Sequence, residues 1–141
     1  MYKNEAALVE DFSNAGLSNG GIFSELESAL EFAHTEGRPD IVAATKAGEV
    51  TAFEVKLTRW KDALIQAHRN TCFAHYSYVV MPASTARYAV RARYEFERRG
   101  VGLCTVEAGS AKVVIHPRRN EPLQSWLTKA ALVHIEEKSG K

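Results

Sequence analysis

The chain has 141 residues, 45% hydrophobic and 25% charged, with a net charge of +1, as is ordinary for a soluble globular protein. That length suits a single domain, residues 1–141, around one main core. No apolar run reaches 18 residues and the opening "MYKNEAALVEDF" lacks the basic-then-apolar pattern of a secretory signal, so neither a membrane partner nor export is expected. Only Cys72 and Cys104 are present, outside any CxxC, so no disulfide framework or zinc site is expected and a reducing cytoplasm is the expected compartment. The near-neutral charge neither demands nor excludes a nucleic-acid partner; what matters is where the charges cluster.

Residues 4–16 read as a short helix, capped by Asn4, striped by Ala7, Leu8 and Phe12, and stopped by Gly16. Residues 22–33 fit both periods: Leu26, Ser28, Leu30 and Phe32 alternate like a strand, and Phe23, Leu26, Leu30 and Ala33 fit a helix. A strand over the first part is the favoured reading. Two strands follow, 40–45 and 50–57, then a helix over 59–74 with Trp60, Ala63, Leu64 and Ala67 inward. "YSYVVMP" is a buried strand, and one long helix capped by Ser84 runs to Arg99, ended by Gly100. "VGLCTVEAGSAKVVIHP" reads as two strands around an Ala-Gly-Ser turn, and residues 121–137 as a last helix with Pro122 in its first turn. No repeat or long linker divides the chain, and the element order describes a mixed α/β sandwich.

The informative stretch is "GRPDIVAATKAGEVTAFEVKL", residues 37–57. Side chains alternate along a strand, so Phe53, Val55 and Leu57 point into a core while Ala52, Glu54 and Lys56 point the other way. A three-residue hairpin loop, "KAG" with Gly48 left-handed, puts Asp40 opposite Glu54; a two-residue loop puts it opposite Val55, with the carboxylates facing apart. Directly opposed residues have Cβ atoms roughly 4.5–5.5 Å apart. Two carboxylates that close repel unless a proton, a cation or Lys56 compensates. A hard divalent cation suits the pair, because Mg²⁺ takes one or two carboxylates, keeps waters and accepts phosphate oxygens. The plainer reading is a solvated sheet face with a cross-strand ion pair.

At these residues the chain resembles the PD-(D/E)xK nuclease superfamily: Pro39-Asp40 stands for "PD" and Glu54-Val55-Lys56 for "(D/E)xK". Over roughly residues 5–82 the order of elements resembles that fold too. The resemblance implies an α/β, restriction-endonuclease-like core, with a mixed sheet, an antiparallel hairpin carrying the site, and helices on both faces. It is closest to the resolvase-like and small DNA-repair branches. It implies an endonuclease that hydrolyses DNA phosphodiesters, with Mg²⁺ (or Mn²⁺ in its place) held by Asp40 and Glu54. Lys56 would position or activate the water.

Many members carry a Gln in the helix after the (D/E)xK strand, and Gln66 stands there. They also carry an upstream Glu. Glu25 is the first candidate, because its strand would lie beside that of Asp40; Glu31, Glu5 and Glu10 stay open. Arg59, Lys61 and Arg69, on the same helix as Gln66, are DNA-contact candidates. Arg87 and Arg91, four apart on the next helix, are further ones; the plainer reading is a solvated face partly balanced by Glu95 and Glu97. A homodimer is one expectation for a chain that nicks opposite strands. The alternative function is a non-catalytic DNA-binding or assembly module on the same fold, within a repair or restriction system.

Overall fold

The computed structural model describes residues 2–34 and 37–139. Helix α1 (Glu5–Phe12) begins where the Asn4 side chain accepts the Ala7 N–H at 2.9 Å, and it widens into a π-helical turn, Ser13–Leu17. A six-stranded sheet follows in the order β1 (Glu27–Leu30), β2 (Ile41–Ala44), β3 (Val50–Val55), β4 (Tyr76–Pro82), β5 (Gly102–Glu107) and β6 (Ser110–Ile115). The first three strands form an antiparallel meander, β3–β4 and β4–β5 pair in parallel, and β5–β6 is an antiparallel hairpin. Parallel neighbours need crossovers. Helix α2 (Trp60–Asn70) supplies the first, and α3 (Ala83–Arg91) with α4 (Arg93–Arg99) supplies the second. Helix α5 (Ser125–Ser139) closes the chain.

Alternation splits the core between the two sheet faces. Ile41, Phe53, Val55, Tyr78 and Val80 pack under Leu8 and Phe12 of α1, where Phe12 meets Phe53 at 5.1 Å and Tyr78 stacks on Phe53 at 5.3 Å. On the opposite face Val42, Ala52 and Phe73 pack under Leu127, Ala131 and Ile135 of α5, while Val79, Met81 and Leu103 pack under α2, α3 and α4. The expected α/β sandwich with helices on both faces is therefore present. No helix among the described residues is long and apolar enough to cross a membrane.

Several local expectations are corrected. The strand in 22–33 occupies its later part, Glu27–Leu30, because residues 18–25 are spent in turns that seat Phe23 against Phe12 and Phe53. The long helix over 84–99 breaks at Ala92 (φ −102°, ψ 28°), and Pro82, not Ser84, precedes its first turn. The break lets Phe96 enter the core beside Ala89. The turn of the last hairpin is Ala108-Gly109, both at positive φ, with Ser110 already in β6. The last helix starts at Ser125, so Pro122 lies before it. Gly100 does end α4, at φ 73°.

Candidate functional site

The hairpin takes the register of the three-residue loop. Ile41 pairs with Phe53 and Ala44 with Val50, Thr45 N–H donates to the Glu49 carbonyl at 3.0 Å, and Gly48 sits at φ 91°. Continued one step, that register sets Asp40 opposite Glu54. Asp40 lies just before β2, and the ladder with β3 begins only at Ile41–Phe53. The Val55 N–H therefore lacks a backbone partner on that side, and the Asp40 side chain accepts it at Oδ2, 2.8 Å away. On the other side of β3, Lys56 N–H donates to Val80 of β4 at 3.0 Å. The chain is thus fixed on both edges where the carboxylates and the lysine emerge.

Asp40, Glu54, Lys56 and Gln66 line one cleft of about 200 Å³, together with Glu5, Arg38, Val55, Arg69 and Asn70. Glu54 is only 7% exposed, and its Oε2 accepts the Asn70 side-chain N–H at 3.0 Å. Burial, the leading cause, lifts the Glu54 carboxyl to about 7; the negative charges of Asp40 and Glu5 add to this, while the Asn70 bond and the charge of Lys56 oppose it. Asp40 is also raised, first by burial and then by the charges of Glu5 and Glu31, against the Val55 N–H and Lys56. The sequence suggested mutual repulsion as the main perturbation. Burial exceeds it, because α2 covers the hairpin.

The upstream glutamate is the clearest correction. Glu27 pairs with Ala44 and Leu30 with Ile41, so Glu25 lies at the loop end of β2, whereas Asp40 lies at its start. Glu25 borders a different depression, with Thr45 and Glu49. Glu5 of α1 is the glutamate that reaches the cleft, where its Oε2 accepts the Leu57 N–H at 3.3 Å. Glu31 is tied to Asp40 through its backbone N–H at 2.9 Å, and Glu10 is exposed on α1 away from the cleft.

The basic residues separate as well. Arg69 lines the cleft, whereas Arg59 is paired with Asp62 at 2.8 Å and the Lys61 ammonium lies 5.7 Å from the Trp60 ring, both outside it. Arg87 and Arg91 lie on α3, outside the cleft. Three cleft residues escaped the sequence reading: Arg38, Asn70 and, as a preferred choice, Glu5. Gln66, Arg69 and Asn70 stand at i, i+3 and i+4 of α2, so helical spacing from Gln66 pointed to Asn70. Arg38 directly precedes Pro39-Asp40. Among the described residues, neither Arg38 nor Arg69 forms an ion pair, and no three His, Cys, Asp or Glu side chains gather as a metal cluster.

No protein-family model matches the chain, and no curated protein resembles its sequence. Solved structures do share its fold. A protein of unknown function, SPO1766 from Silicibacter pomeroyi, superposes with a TM-score of 0.66 at 15% identity, over 91% of this chain and 81% of that one. A repair endonuclease from Pyrococcus abyssi superposes with a TM-score of 0.52 at 17% identity, over 76% of this chain and 49% of that one. This chain thus spans about half the length of that endonuclease. At such identities the likeness is one of fold, and the fold is one that a repair endonuclease also adopts.

Proposed function

We propose that this chain is a divalent-metal-dependent DNA endonuclease of the PD-(D/E)xK type. The observation that carries the reading is the convergence of Asp40, Glu54, Lys56 and Gln66 on one cleft, from a hairpin and the helix after it. Asp40 and Glu54 would hold Mg²⁺, or Mn²⁺ in its place. Their chemistry fits such an ion. The donors are hard oxygens, and one oxygen of each is already oriented by the protein, through the Val55 N–H and the Asn70 amide. The buried Glu54 and the half-buried Asp40 also disfavour each other's charge, which a cation would relieve. Two carboxylates suffice for Mg²⁺, which completes its shell with water and phosphate oxygens. When bound, such an ion supplies charge neutralisation at the phosphate and a more acidic water.

The remaining chemistry belongs to the chain. Water attacks phosphorus in line, one P–O ester bond breaks, and negative charge builds on the phosphate oxygens. Lys56 presents a cation where that charge grows, which favours the transition state over the ground state. The Gln66 amide orients the water or the neighbouring DNA backbone. Arg38 and Arg69, which have no carboxylate partner among the described residues, hold adjacent phosphates. Asn70 steadies Glu54 in its ionised form.

The test is cleavage of plasmid, single-stranded and four-way-junction DNA with Mg²⁺, Mn²⁺ or EDTA, by wild type and Lys56→Ala. Metal-dependent nicking that Lys56→Ala loses supports the reading. Binding without cleavage of any form removes it, in favour of a non-catalytic DNA-binding module.

A further inference from the structure

The exposed face of α3 carries an arrangement that the proposed cleavage site does not use. Ser84, Arg87, Tyr88 and Arg91 stand at i, i+3, i+4 and i+7, so they form one stripe, and all four are exposed. Tyr88 is 48% exposed, and its inward neighbours on the helix, Ala86 and Ala89, do the packing instead. The guanidinium groups of Arg87 and Arg91 lie 5.0 and 5.7 Å from the Tyr88 ring centre, and Arg87 also donates to the Tyr88 hydroxyl at 3.0 Å. The expected balance by Glu95 and Glu97 goes to other residues. Glu95 pairs with Arg98 and Arg99, and Glu97 with Arg93. Among the described residues, Arg87 and Arg91 meet no carboxylate.

The helix that carries the stripe is tied to the chain just after Lys56. In the first turn of α3, the Thr85 hydroxyl donates to the Leu57 carbonyl at 2.6 Å, and Leu57 directly follows Lys56. From Ser84 to Arg91 the helix runs about 10 Å, long enough to meet one base and its flanking phosphates.

We infer that this stripe binds a single-stranded extension of the DNA substrate, with a nucleobase stacked on Tyr88 and phosphates held by Arg87 and Arg91. The inference rests on the endonuclease reading for the DNA being a substrate, but not for the binding itself. An exposed aromatic flanked by unpaired cations is what a flexible polyanion with accessible base faces recognises. Bases in a duplex are already stacked and offer no face to a tyrosine. Stacking displaces one guanidinium from the ring, and that group is then free for the next phosphate.

The experiment is fluorescence anisotropy in EDTA, with a blunt duplex, the same duplex carrying a single-stranded tail, and the free tail. The proteins are wild type, Tyr88→Ala, Tyr88→Phe and Asp40→Asn. Tyr88→Ala should weaken binding of the tailed duplex and free tail roughly 10- to 100-fold, leaving the blunt duplex within about twofold. Tyr88→Phe keeps the ring and should bind the tail within about threefold of wild type. Asp40→Asn should bind the tail as wild type does, which supports the stripe even where no DNA form is cleaved. The inference is overturned if wild type shows no preference for the tail, if Tyr88→Ala binds it as tightly as wild type, or if that change weakens blunt and tailed duplex alike.

Discussion

Asn70, at the end of α2, donates its side-chain amide to Glu54 of β3 across 3.0 Å, in a contact where both residues are buried. It joins the helix to the strand that carries the ExK residues. It is also the protein hydrogen bond that favours the charged form of Glu54.

Asn70→Ala removes that bond and leaves a buried carboxyl oxygen without its partner. The expected cost is about 1–3 kcal/mol, with the Glu54 carboxyl pushed further above about 7. Urea denaturation and an NMR titration of Glu54 check the two effects. An unchanged Glu54 titration would mean that Asn70 does not hold it.

Glu54 makes stability depend on pH in a definite direction. Its folded value, about 7, lies above the ordinary 4.5. Its favourable contribution is therefore fully present below about 4.5 and is lost as pH rises through about 7. At one pKa unit per about 1.4 kcal/mol, the loss amounts to roughly 3 kcal/mol. Asp40 is raised too and acts in the same sense. In EDTA the wild type should be more stable at pH 5 than at pH 8, and Glu54→Gln should flatten that difference by gaining stability at pH 8. Equal denaturation midpoints for wild type at both pH values would contradict the buried, protonated Glu54.

If Asp40 and Glu54 take up a divalent cation, Glu54 must lose its proton on binding. Calorimetry with Mg²⁺ at pH 6.5, in two buffers of different ionisation enthalpy, should show proton release; Asp40→Asn should weaken the binding, and Glu54→Gln should abolish the release. Identical apparent enthalpies in both buffers would argue against a cation at this pair.

Lys56→Ala should leave the fold and DNA affinity nearly unchanged, because Lys56 forms no ion pair among the described residues and lies partly exposed. It should lower single-turnover cleavage by about 10²–10³, the typical loss for one group that stabilises transition-state charge. Wild-type rates in this variant would assign the activity to another site.

Arg69→Ala and Arg59→Ala should part company, although the sequence treats them alike. Arg69 faces the cleft with no carboxylate partner among the described residues, whereas Arg59 is engaged with Asp62. Arg69→Ala should reduce the slope of log affinity against log salt by about 1, and Arg59→Ala should change it little. Equal slopes for the two variants would show that the Asp62 pairing does not hold Arg59 back.

The hairpin and the residues that emerge from it were legible from local pattern. Strand alternation puts Glu54 and Lys56 on one face, and the "KAG" loop allows Asp40 to stand across from Glu54; the choice of that register over the two-residue loop was made by the folded ladder, Ile41 on Phe53. Gln66 came from the family resemblance, which expects a Gln on the helix after the ExK strand. The choice among Glu25, Glu31, Glu5 and Glu10 was not legible, because a glutamate's distance from Asp40 depends on strand register, and β1 has too few alternating residues to reveal one. Glu5 reaches the cleft only because α1 packs over Phe53, forty-odd residues away in the chain, a contact that no local pattern announces. The acidity of the site was likewise a tertiary matter. The sequence shows two carboxylates near each other, but their main perturbation is burial beneath α2, and burial exists only once the sheet and helix have closed on one another.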